Sequence, residues 1–381
     1  MHALTFDTSD GWNESKGFRK REVPTPTLVE PADAEAVIVQ VRFAGVCGSD
    51  RGIWFRDAFK DMILGSLEKE GKSTRIIGHE FFGEIVAAGS LVAEKFSLNM
   101  GDTVSAESHV TCGKCFQCHN GELHVCTEEK ILGISFDGCF AELVKLPAKV
   151  LWLTDTAKIR PEIAAMQEPF GNAVHACTKV DLRGKRVAVF GCGPIGLMTV
   201  LVSRSMGASM IIGVEPNPTH AALAKSLGAD LVVDIPKVAK AHPWQYEQAV
   251  MKTILEATRG IGVDVAIEMS GYNSSVNTAV QSVRRGGDVI LFGLKSGDFT
   301  IEKFDRMIVR GVTLHSVIGR QIFKTWYITK SLLEDASNHI QEKLWMLLLK
   351  EGQGTVLPFA DYDPARFEQA LLGNPKILLK F

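Results

Sequence analysis

Short apolar runs separated by glycine-rich turns dominate residues 37–150 of the chain. Ala36 to Phe43 and Gly83 to Ala88 are two such runs, and both contain the β-branched residues that are typical of strands. Helical periodicity is scarce in this part of the sequence. The pattern therefore predicts a compact β-rich module with loops.

The pattern changes near Glu162, where Ile163 to Val180 repeats apolar residues at helical spacing. Arg186 to Phe190 then predicts a buried strand, Ile195 to Met206 a helix and Met210 to Glu215 a second strand, which is the order of a βαβ unit. The alternation continues, so we predict an α/β domain with a doubly wound parallel sheet. The later runs are Thr219 to Leu227 and Ala249 to Ala257 as helices, and Leu231 to Asp234, Asp264 to Met269 and Val289 to Leu294 as strands.

The last part of the chain, after Phe304, mixes both patterns. Gly311 to Ile318 is β-rich, Tyr327 to Glu351 is amphipathic and helical, and Ile377 to Phe381 resembles a final strand. A length of 381 residues favours two domains. Periodicity leaves open whether this tail belongs to the second domain or returns to the first.

The composition is that of a globular protein, with 46% hydrophobic and 23% charged residues. Lys and Arg total 42 against 44 acidic residues, so no net charge draws the chain to nucleic acid or to an anionic membrane. We find no signal-peptide pattern and no apolar run long enough to cross a membrane, and expect a cytoplasmic protein with a small-molecule partner. Eight cysteines in that compartment are not expected to form disulfides.

Four of these cysteines fall within one loop-like segment with the spacing C-x2-C-x2-C-x7-C: Cys112, Cys115, Cys118 and Cys126. Four thiolates suit a closed tetrahedral zinc site, which supports structure because it leaves no position open for a substrate. An iron–sulfur cluster uses the same ligands and is the alternative. We predict a structural zinc.

A second group of metal-binding residue types is spread along the chain and consists of Cys47, His79, Glu80 and Glu168. One thiolate, one imidazole and one carboxylate would leave a fourth coordination position for water or substrate, as in catalytic zinc sites. Each residue also has an ordinary structural interpretation: a small buried cysteine, a hydrogen-bonded histidine, a carboxylate at a helix start. Spacing alone favours these structural interpretations.

A glycine-rich turn joins the predicted strand ending at Phe190 to the next predicted helix: Gly191, Cys192, Gly193, Pro194, Ile195, Gly196. Such a turn lets the backbone approach a pyrophosphate at the positive end of the helix. Glu215 closes the next strand 19 residues after Gly196, where a carboxylate accepts hydrogen bonds from the adenosine ribose and favours NAD over NADP. The alternative is a packing turn without a ligand. The remaining cysteines, Cys139, Cys177 and Cys192, are interpreted as packing residues.

Together these motifs resemble the zinc-containing medium-chain alcohol dehydrogenases across nearly the whole chain. The matching residues are Cys47, Gly78-His79-Glu80, the four-cysteine segment, Glu168 and the glycine-rich turn. Three further segments are similar to the threonine and polyol dehydrogenase branch of that superfamily, and to L-threonine 3-dehydrogenases in particular: Ser108 to Gly113, Pro169 to His175 and Gly319 to Tyr327.

The resemblance implies a GroES-like catalytic domain (residues 1–162), a Rossmann domain (163–305) and a tail (306–381) that returns to the catalytic domain. It implies a catalytic zinc on Cys47, His79 and Glu168, with Glu80 near enough to exchange as a ligand. It also implies NAD bound through Glu215, with Arg320 close to the cofactor, and a homo-oligomer, either a tetramer or a dimer.

The implied activity is hydride transfer from a secondary alcohol to NAD. Zinc would lower the pKa of the substrate hydroxyl, and Ser49 would accept its proton. His109 would shape the substrate pocket or assist proton transfer, or only form a hydrogen bond in its turn.

Two departures from the threonine pattern keep a sugar or polyol substrate open as the alternative. Gly52 stands where threonine enzymes carry a relay histidine, and Arg56 to Arg75 is a longer segment than is typical of this loop near the substrate entrance. A nonenzymatic protein that binds NAD and zinc is a third possibility. The intact Cys47, His79 and Glu168 argue against it.

Overall fold

The computed structural model describes residues 1–236, 240–294 and 297–381. The chain forms two compact units, the first made of Met1–Pro169 with Gln321–Phe381 and the second of Phe170–Arg320. The strands are β1 (His2–Asp7), β2 (Arg19–Glu22), β3 (Ala36–Gly45), β4 (Thr74–Ile76), β5 (Glu80–Ala88), β6 (Thr103–Ala106), β7 (His109–Val110), β8 (Lys130–Ile131), β9 (Leu143–Pro147), β10 (Leu151–Leu153), β11 (Arg186–Phe190), β12 (Met210–Val214), β13 (Leu231–Val233), β14 (Val263–Glu268), β15 (Val283–Leu291), β16 (Thr313–Ser316), β17 (Val356–Pro358) and β18 (Leu378–Lys380).

The helices of both units are short. They are α1 (Gly48–Trp54), α2 (Lys60–Glu70), α3 (Val92–Phe96), α4 (Phe116–His119), α5 (Pro161–Ala164), α6 (Gln167–Cys177), α7 (Pro194–Ser205), α8 (Pro218–Leu227), α9 (Gln248–Ala257), α10 (Asn273–Ser282), α11 (Phe304–Val309), α12 (Lys324–Glu334), α13 (Ile340–Lys343) and α14 (Pro364–Gly373). Among the described residues, no helix is long and apolar enough to cross a membrane.

The first unit is built around a sheet of the order β10-β6-β5-β3-β18-β17, with β9 also paired to β3. Val37, Val39 and Val41 on β3 are buried in its core, as expected for alternate residues of a strand with one apolar face. The tail contributes β18, which pairs antiparallel with β3 so that Leu379 lies opposite Ala44. The β-rich module predicted from the sequence is thereby confirmed.

The second unit holds a six-stranded sheet in the order β13-β12-β11-β14-β15-β16, in which every pairing is parallel. Val187 to Phe190 are all buried, which is the continuous apolar pattern of a strand covered on both faces. The predicted doubly wound parallel sheet is confirmed. Asp264 of β14 accepts hydrogen bonds from the backbone N–H and the guanidinium of Arg186, the first residue of β11. It also accepts one from the guanidinium of Arg284.

Several helices are absent from the sequence prediction, α2 and α10 among them. Helix α10 has the polar sequence NSSVNTAVQS, yet Asn277 is fully buried because its side-chain amide donates to the carbonyls of Trp244 and Thr300. Helix α2 lies in the segment that we interpreted as a long loop, with Ile63 and Leu67 in the core. The periodic pattern over Tyr327 to Glu351 corresponds to several short helices, which are interrupted after Glu334.

Candidate active site and metal centres

The turn between β3 and α1 supplies the first residues of the candidate active site. Cys47 is the N-cap of α1 in an extended conformation, and its backbone N–H donates to Asp50 Oδ2 at 2.8 Å. Asp50 is fully buried, so its carboxylate holds the turn that presents the cysteine. The sequence alone did not indicate a role for Asp50.

His79 enters the site from the adjacent strand. Gly78 precedes it with a φ of +93°, and a Cβ at Gly78 would lie 2.2 Å from the ring of Phe140, so only glycine fits there. The imidazole Nδ1 lies 3.6 Å from Asp50 Oδ1, and Nε2 lies 3.3 Å from Ser49 Oγ. The Asp50 carboxylate thus faces one ring nitrogen of His79, and the Ser49 hydroxyl contacts the other.

The structure brings the ligand atoms of Cys47, His79 and Glu80 within 4.8 Å of one another. Burial raises the pKa of Asp50 to about 6. Burial opposes a charge on His79, but the negative charges of Asp50, Cys47 and Glu168 outweigh it and raise the pKa of that imidazole to about 10. The surroundings strongly favour a cation, so this donor set fits a zinc ion.

Glu80, at the start of β5, is fully buried and is paired with Lys376. The Lys376 ammonium contacts Glu80 Oε2 and donates to the carbonyl of Val46 at 2.9 Å. Burial alone would lower the pKa of Lys376, but the charges of Glu80 and Cys47 raise it above its usual value. Sequence reasoning missed Lys376, although a lone lysine beside the apolar run Ile377–Leu379 was a signal.

Glu168 lies in the first turn of α6 and is 5% exposed. The Ser108 hydroxyl donates to its Oε1 at 2.7 Å, which orients the carboxylate. Glu168 lies outside the group of three ligand atoms that fall within 4.8 Å, although its charge acts on His79. The structure therefore groups three of the four residues of the predicted site closely and keeps the fourth nearby.

The four-cysteine segment forms a separate cluster. The ligand atoms of Cys112, Cys115, Cys118 and Cys126 lie within 4.8 Å of one another, and the sulfurs of Cys115 and Cys126 are 3.9 Å apart. Tetrahedral zinc with bonds of about 2.3 Å requires sulfurs about 3.8 Å apart. Backbone N–H groups of Cys118 and Thr127 lower the pKa of Cys115 to about 5. The cluster fits the predicted closed zinc site.

His109, on β7, is held by a buried carboxylate that the sequence analysis did not single out. Glu107 is 1% exposed, and its Oε1 lies 3.0 Å from His109 Nδ1 and accepts the His109 backbone N–H. Glu107 Oε2 accepts a hydrogen bond from Trp326 Nε1 at 2.9 Å. Trp326 belongs to the similar segment Gly319–Tyr327, so the tail helps to orient this histidine.

The position of the missing relay histidine is closed by packing. A Cβ at Gly52 would lie 2.9 Å from the Cβ of Ala58, because the chain folds back so that Asp57 N donates to Gly52 O at 2.7 Å. The longer segment that follows is ordered by Arg75, which is fully buried and pairs with Glu70 at the end of α2. Gly52 is therefore a consequence of how this segment folds.

The glycine-rich turn lies where the sequence predicts, between β11 and α7. Gly191 has a φ of +86°, and a Cβ on Gly196 would lie 1.9 Å from the Gly191 carbonyl oxygen. Gly193 is the N-cap of α7 and Pro194 is at its first turn, followed by Ile195, so the free N–H groups of the helix start in this turn. This is the backbone arrangement that a pyrophosphate requires.

Glu215, after β12, is 7% exposed and shapes the same turn. Its Oε2 accepts from Cys192 N at 2.7 Å and its Oε1 from Asn217 N at 2.8 Å. A pocket of about 190 Å³ beside it is lined by Gly191, Glu215, Ile235 and Val250 among others, which suits part of a nucleotide. Arg320, the last residue of this unit, is buried and donates to Asn172 Oδ1 at 2.9 Å.

Comparison with known proteins identifies the class to which this fold and site belong. The family model described as zinc-binding dehydrogenase matches residues 194–335, and the model described as alcohol dehydrogenase GroES-like domain matches residues 33–156. The chain belongs to the zinc-binding alcohol dehydrogenase family, and it is a zinc-dependent, NAD-linked oxidoreductase.

Within that family the chain is similar to L-threonine 3-dehydrogenases. It is 37% identical to the enzyme of Symbiobacterium thermophilum over 316 residues, which cover 83% of each chain. It is 35% identical to that of Bacillus subtilis over 312 residues, covering 82% of this chain and 83% of the other. Galactitol-1-phosphate dehydrogenase of Escherichia coli has the same fold, with a TM-score of 0.80 at 22% identity over 100% of both chains.

Proposed function

We propose that this protein oxidises the secondary hydroxyl of L-threonine, with NAD as the hydride acceptor. The observation that carries the proposal is the group formed by Cys47, His79 and Glu80, with Glu168 nearby, in a chain 37% identical to an L-threonine 3-dehydrogenase. The three segments with the threonine dehydrogenase pattern support the same substrate. Two of them contribute to one hydrogen-bonded unit, since Glu107 lies beside Ser108–Gly113 and accepts from Trp326.

Zinc at the active site would be held by Cys47, His79 and Glu168, with Glu80 as an exchangeable ligand. When bound, zinc lowers the pKa of a hydroxyl placed against it, and NAD supplies the hydride acceptor. In this arrangement Lys376 balances the charge of Glu80, and this ion pair favours a Glu80 carboxylate that is not bound to the metal. Exchange of Glu80 onto the metal would require breaking this buried ion pair.

The residues of the chain also provide for the proton. Ser49 Oγ, half-buried and 3.3 Å from His79 Nε2, accepts the proton of the substrate hydroxyl and passes it outward. Because Gly52 offers no side-chain acceptor, we propose that the proton then passes to solvent. Glu107 fixes the orientation of the His109 imidazole. We propose that this imidazole forms a hydrogen bond with the α-amino or α-carboxylate group of threonine.

The cofactor residues are assigned on the second unit. Gly191, Gly193, Pro194, Ile195 and Gly196 would cradle the pyrophosphate, and Glu215 would accept hydrogen bonds from the ribose of the adenosine. Arg320, held by Asn172, is proposed as a further cofactor contact. In place of the boundaries 1–162, 163–305 and 306–381 expected from the sequence, we propose that the Rossmann segment runs from Phe170 to Arg320, because β16 pairs with β15 in its parallel sheet.

The test is an NAD-reduction assay over L-threonine, D-threonine, sorbitol, galactitol and 2,3-butanediol, combined with zinc analysis. We expect turnover with L-threonine to exceed turnover with the polyols, and two zinc ions per chain. Cys47→Ser removes one zinc and abolishes turnover, whereas Cys139→Ser, a buried cysteine outside both ligand groups, retains both zinc ions. Preference for a polyol would replace the substrate proposal, and full zinc content in Cys47→Ser would refute the site.

We also propose that the protein is a cytoplasmic homo-oligomer. Cysteine thiolates bind zinc only while the sulfur is reduced, which suits a reducing compartment.

The oligomer is proposed from the surface of the second unit. Strand β16 pairs with β15 on one side, and neighbouring residues Phe304, Ile308 and Val309 of α11 are 55–70% exposed. An apolar surface beside a sheet edge favours a second copy as partner. Val309→Arg should reduce the mass measured by light scattering to that of a monomer, 41.6 kDa.

A further inference from the structure

A pocket lined by four arginines lies on the second unit, away from the glycine-rich turn. Arg284, Arg285, Arg306 and Arg310 surround a volume of about 610 Å³. The first pair stands at the start of β15 and Arg310 precedes β16, whereas the glycine-rich turn follows the end of β11. In a parallel sheet the starts and the ends of the strands lie on opposite sides, so this arginine pocket is distinct from the dinucleotide turn.

Two of the arginines have protein partners. Arg284 Nε donates to Asp264 Oδ1 at 2.6 Å, and Arg310 Nη1 donates to the carbonyl of Val280 at 3.1 Å. Arg285 and Arg306 are exposed, and within the described parts of the chain neither makes an ion pair with a carboxylate. The pocket therefore presents two guanidinium groups that are available for a ligand and two that are anchored.

The arginines repel one another. Burial lowers the pKa of Arg310, and the charges of Arg285 and Arg306 lower it further. The four arginines concentrate positive charge in one place, although the net charge of the whole chain is −2. An anion in the pocket relieves the repulsion, and the planar guanidinium fork matches the oxygens of a phosphate.

The remaining walls of the pocket narrow the class of anion. Met251, Leu255 and Ile261 provide an apolar side, and Ile261 is 56% exposed. We propose that the arginine pocket binds the phosphate group of a small molecule, either free phosphate or a phosphate ester whose apolar part packs on Leu255 and Ile261. This site is independent of the proposed oxidation of threonine.

The test is calorimetric titration of the zinc-loaded enzyme saturated with NADH, so that the dinucleotide turn is occupied. The probes are inorganic phosphate, phenyl phosphate and, as the uncharged control, phenol, all at constant ionic strength. We expect one saturable site per chain for a phosphate-bearing probe and none for phenol. Tighter binding of phenyl phosphate identifies an ester as the ligand, and equal binding identifies free phosphate.

Variants assign the binding to the pocket. Arg285→Gln and Arg306→Gln should each weaken phosphate binding at least tenfold, while Arg366→Gln, which removes an exposed arginine of the first unit, should leave it unchanged. Both pocket residues are exposed, and circular dichroism checks that the variants fold. Absence of saturable binding, or binding that Arg285→Gln and Arg306→Gln leave intact, would overturn the proposal.

Discussion

The buried pair of Lys376 and Glu80 allows a quantitative prediction for Lys376→Met. The lysine side chain is 2% exposed and the glutamate side chain is fully buried, so water compensates neither charge. Methionine replaces the lysine side chain up to Cε and removes only the ammonium, which leaves Glu80 unpaired and the carbonyl of Val46 without this donor. Removing one partner of a buried ion pair costs about 3–5 kcal/mol, and we expect that loss in the free energy of unfolding.

Urea unfolding of the zinc-loaded protein, followed by tryptophan fluorescence, measures the loss. Five of the six tryptophans belong to the first unit, so the signal reports mainly on the unit that holds the pair. Lys380→Met makes the same substitution at an exposed position of β18 and should change stability by less than about 0.5 kcal/mol. Lys376→Met combined with Glu80→Gln should recover at least half of the loss, because the unpaired charge is removed.

A loss below about 1 kcal/mol in Lys376→Met would refute the reasoning, since it would mean that Glu80 is solvated or neutralised without the lysine. Equal losses in the single and double variants would also contradict it. In that case the cost would come from packing around the methionine and not from the unpaired carboxylate.

Four further predictions address other parts of the chain. Arg75→Met should lower the free energy of unfolding by about 1–2 kcal/mol in the urea assay, because the partners of this buried guanidinium, Glu70 and Asp137, are partly exposed and keep Lys72 as a counter-charge. Asp264→Asn should cost about 2 kcal/mol at pH 7. Burial would raise the pKa of Asp264, but its two arginines outweigh burial and hold that pKa below the usual value. The stability that the ionised carboxylate contributes is therefore lost as the pH falls below about 4. The unfolding curves of the wild type and of Asp264→Asn should converge there. Gly196→Ala should weaken NADH binding at least tenfold in a fluorescence titration, because its Cβ would lie 1.9 Å from a backbone oxygen. Cys115→Ser should reduce the zinc content from two ions to one, and unchanged content would contradict the closed cluster.

The fold was predictable where one physical signal dominates. Strand β11 matches the predicted bounds, Arg186 to Phe190, because a strand covered on both faces is apolar throughout. Helix α10 was not predictable, because polar residues are buried in it beside apolar ones, and the side-chain amide of Asn277 is satisfied by the carbonyls of Trp244 and Thr300, which lie outside the helix. Local periodicity contains no information about such distant partners.

The candidate site divides in the same way. The four-cysteine cluster was predictable because its ligands are close together in sequence. The importance of Lys376 was not, because its contact with Glu80 depends on β18 pairing with β3. Glu107 was overlooked for a similar reason, since its partner Trp326 is 219 residues away along the chain.

The antiparallel pairing of β18 with β3 has a consequence for the order of events during synthesis. Lys376 is separated from Glu80 by 296 residues, and the whole second unit, Phe170–Arg320, is translated between them. The second unit is continuous in sequence and can fold as soon as it emerges from the ribosome, whereas Glu80 must wait for its counter-charge. Until β18 pairs with β3, the Glu80 carboxylate lacks the ammonium that balances its charge, so the first unit reaches its final electrostatic state only when the last residues of the chain have been made.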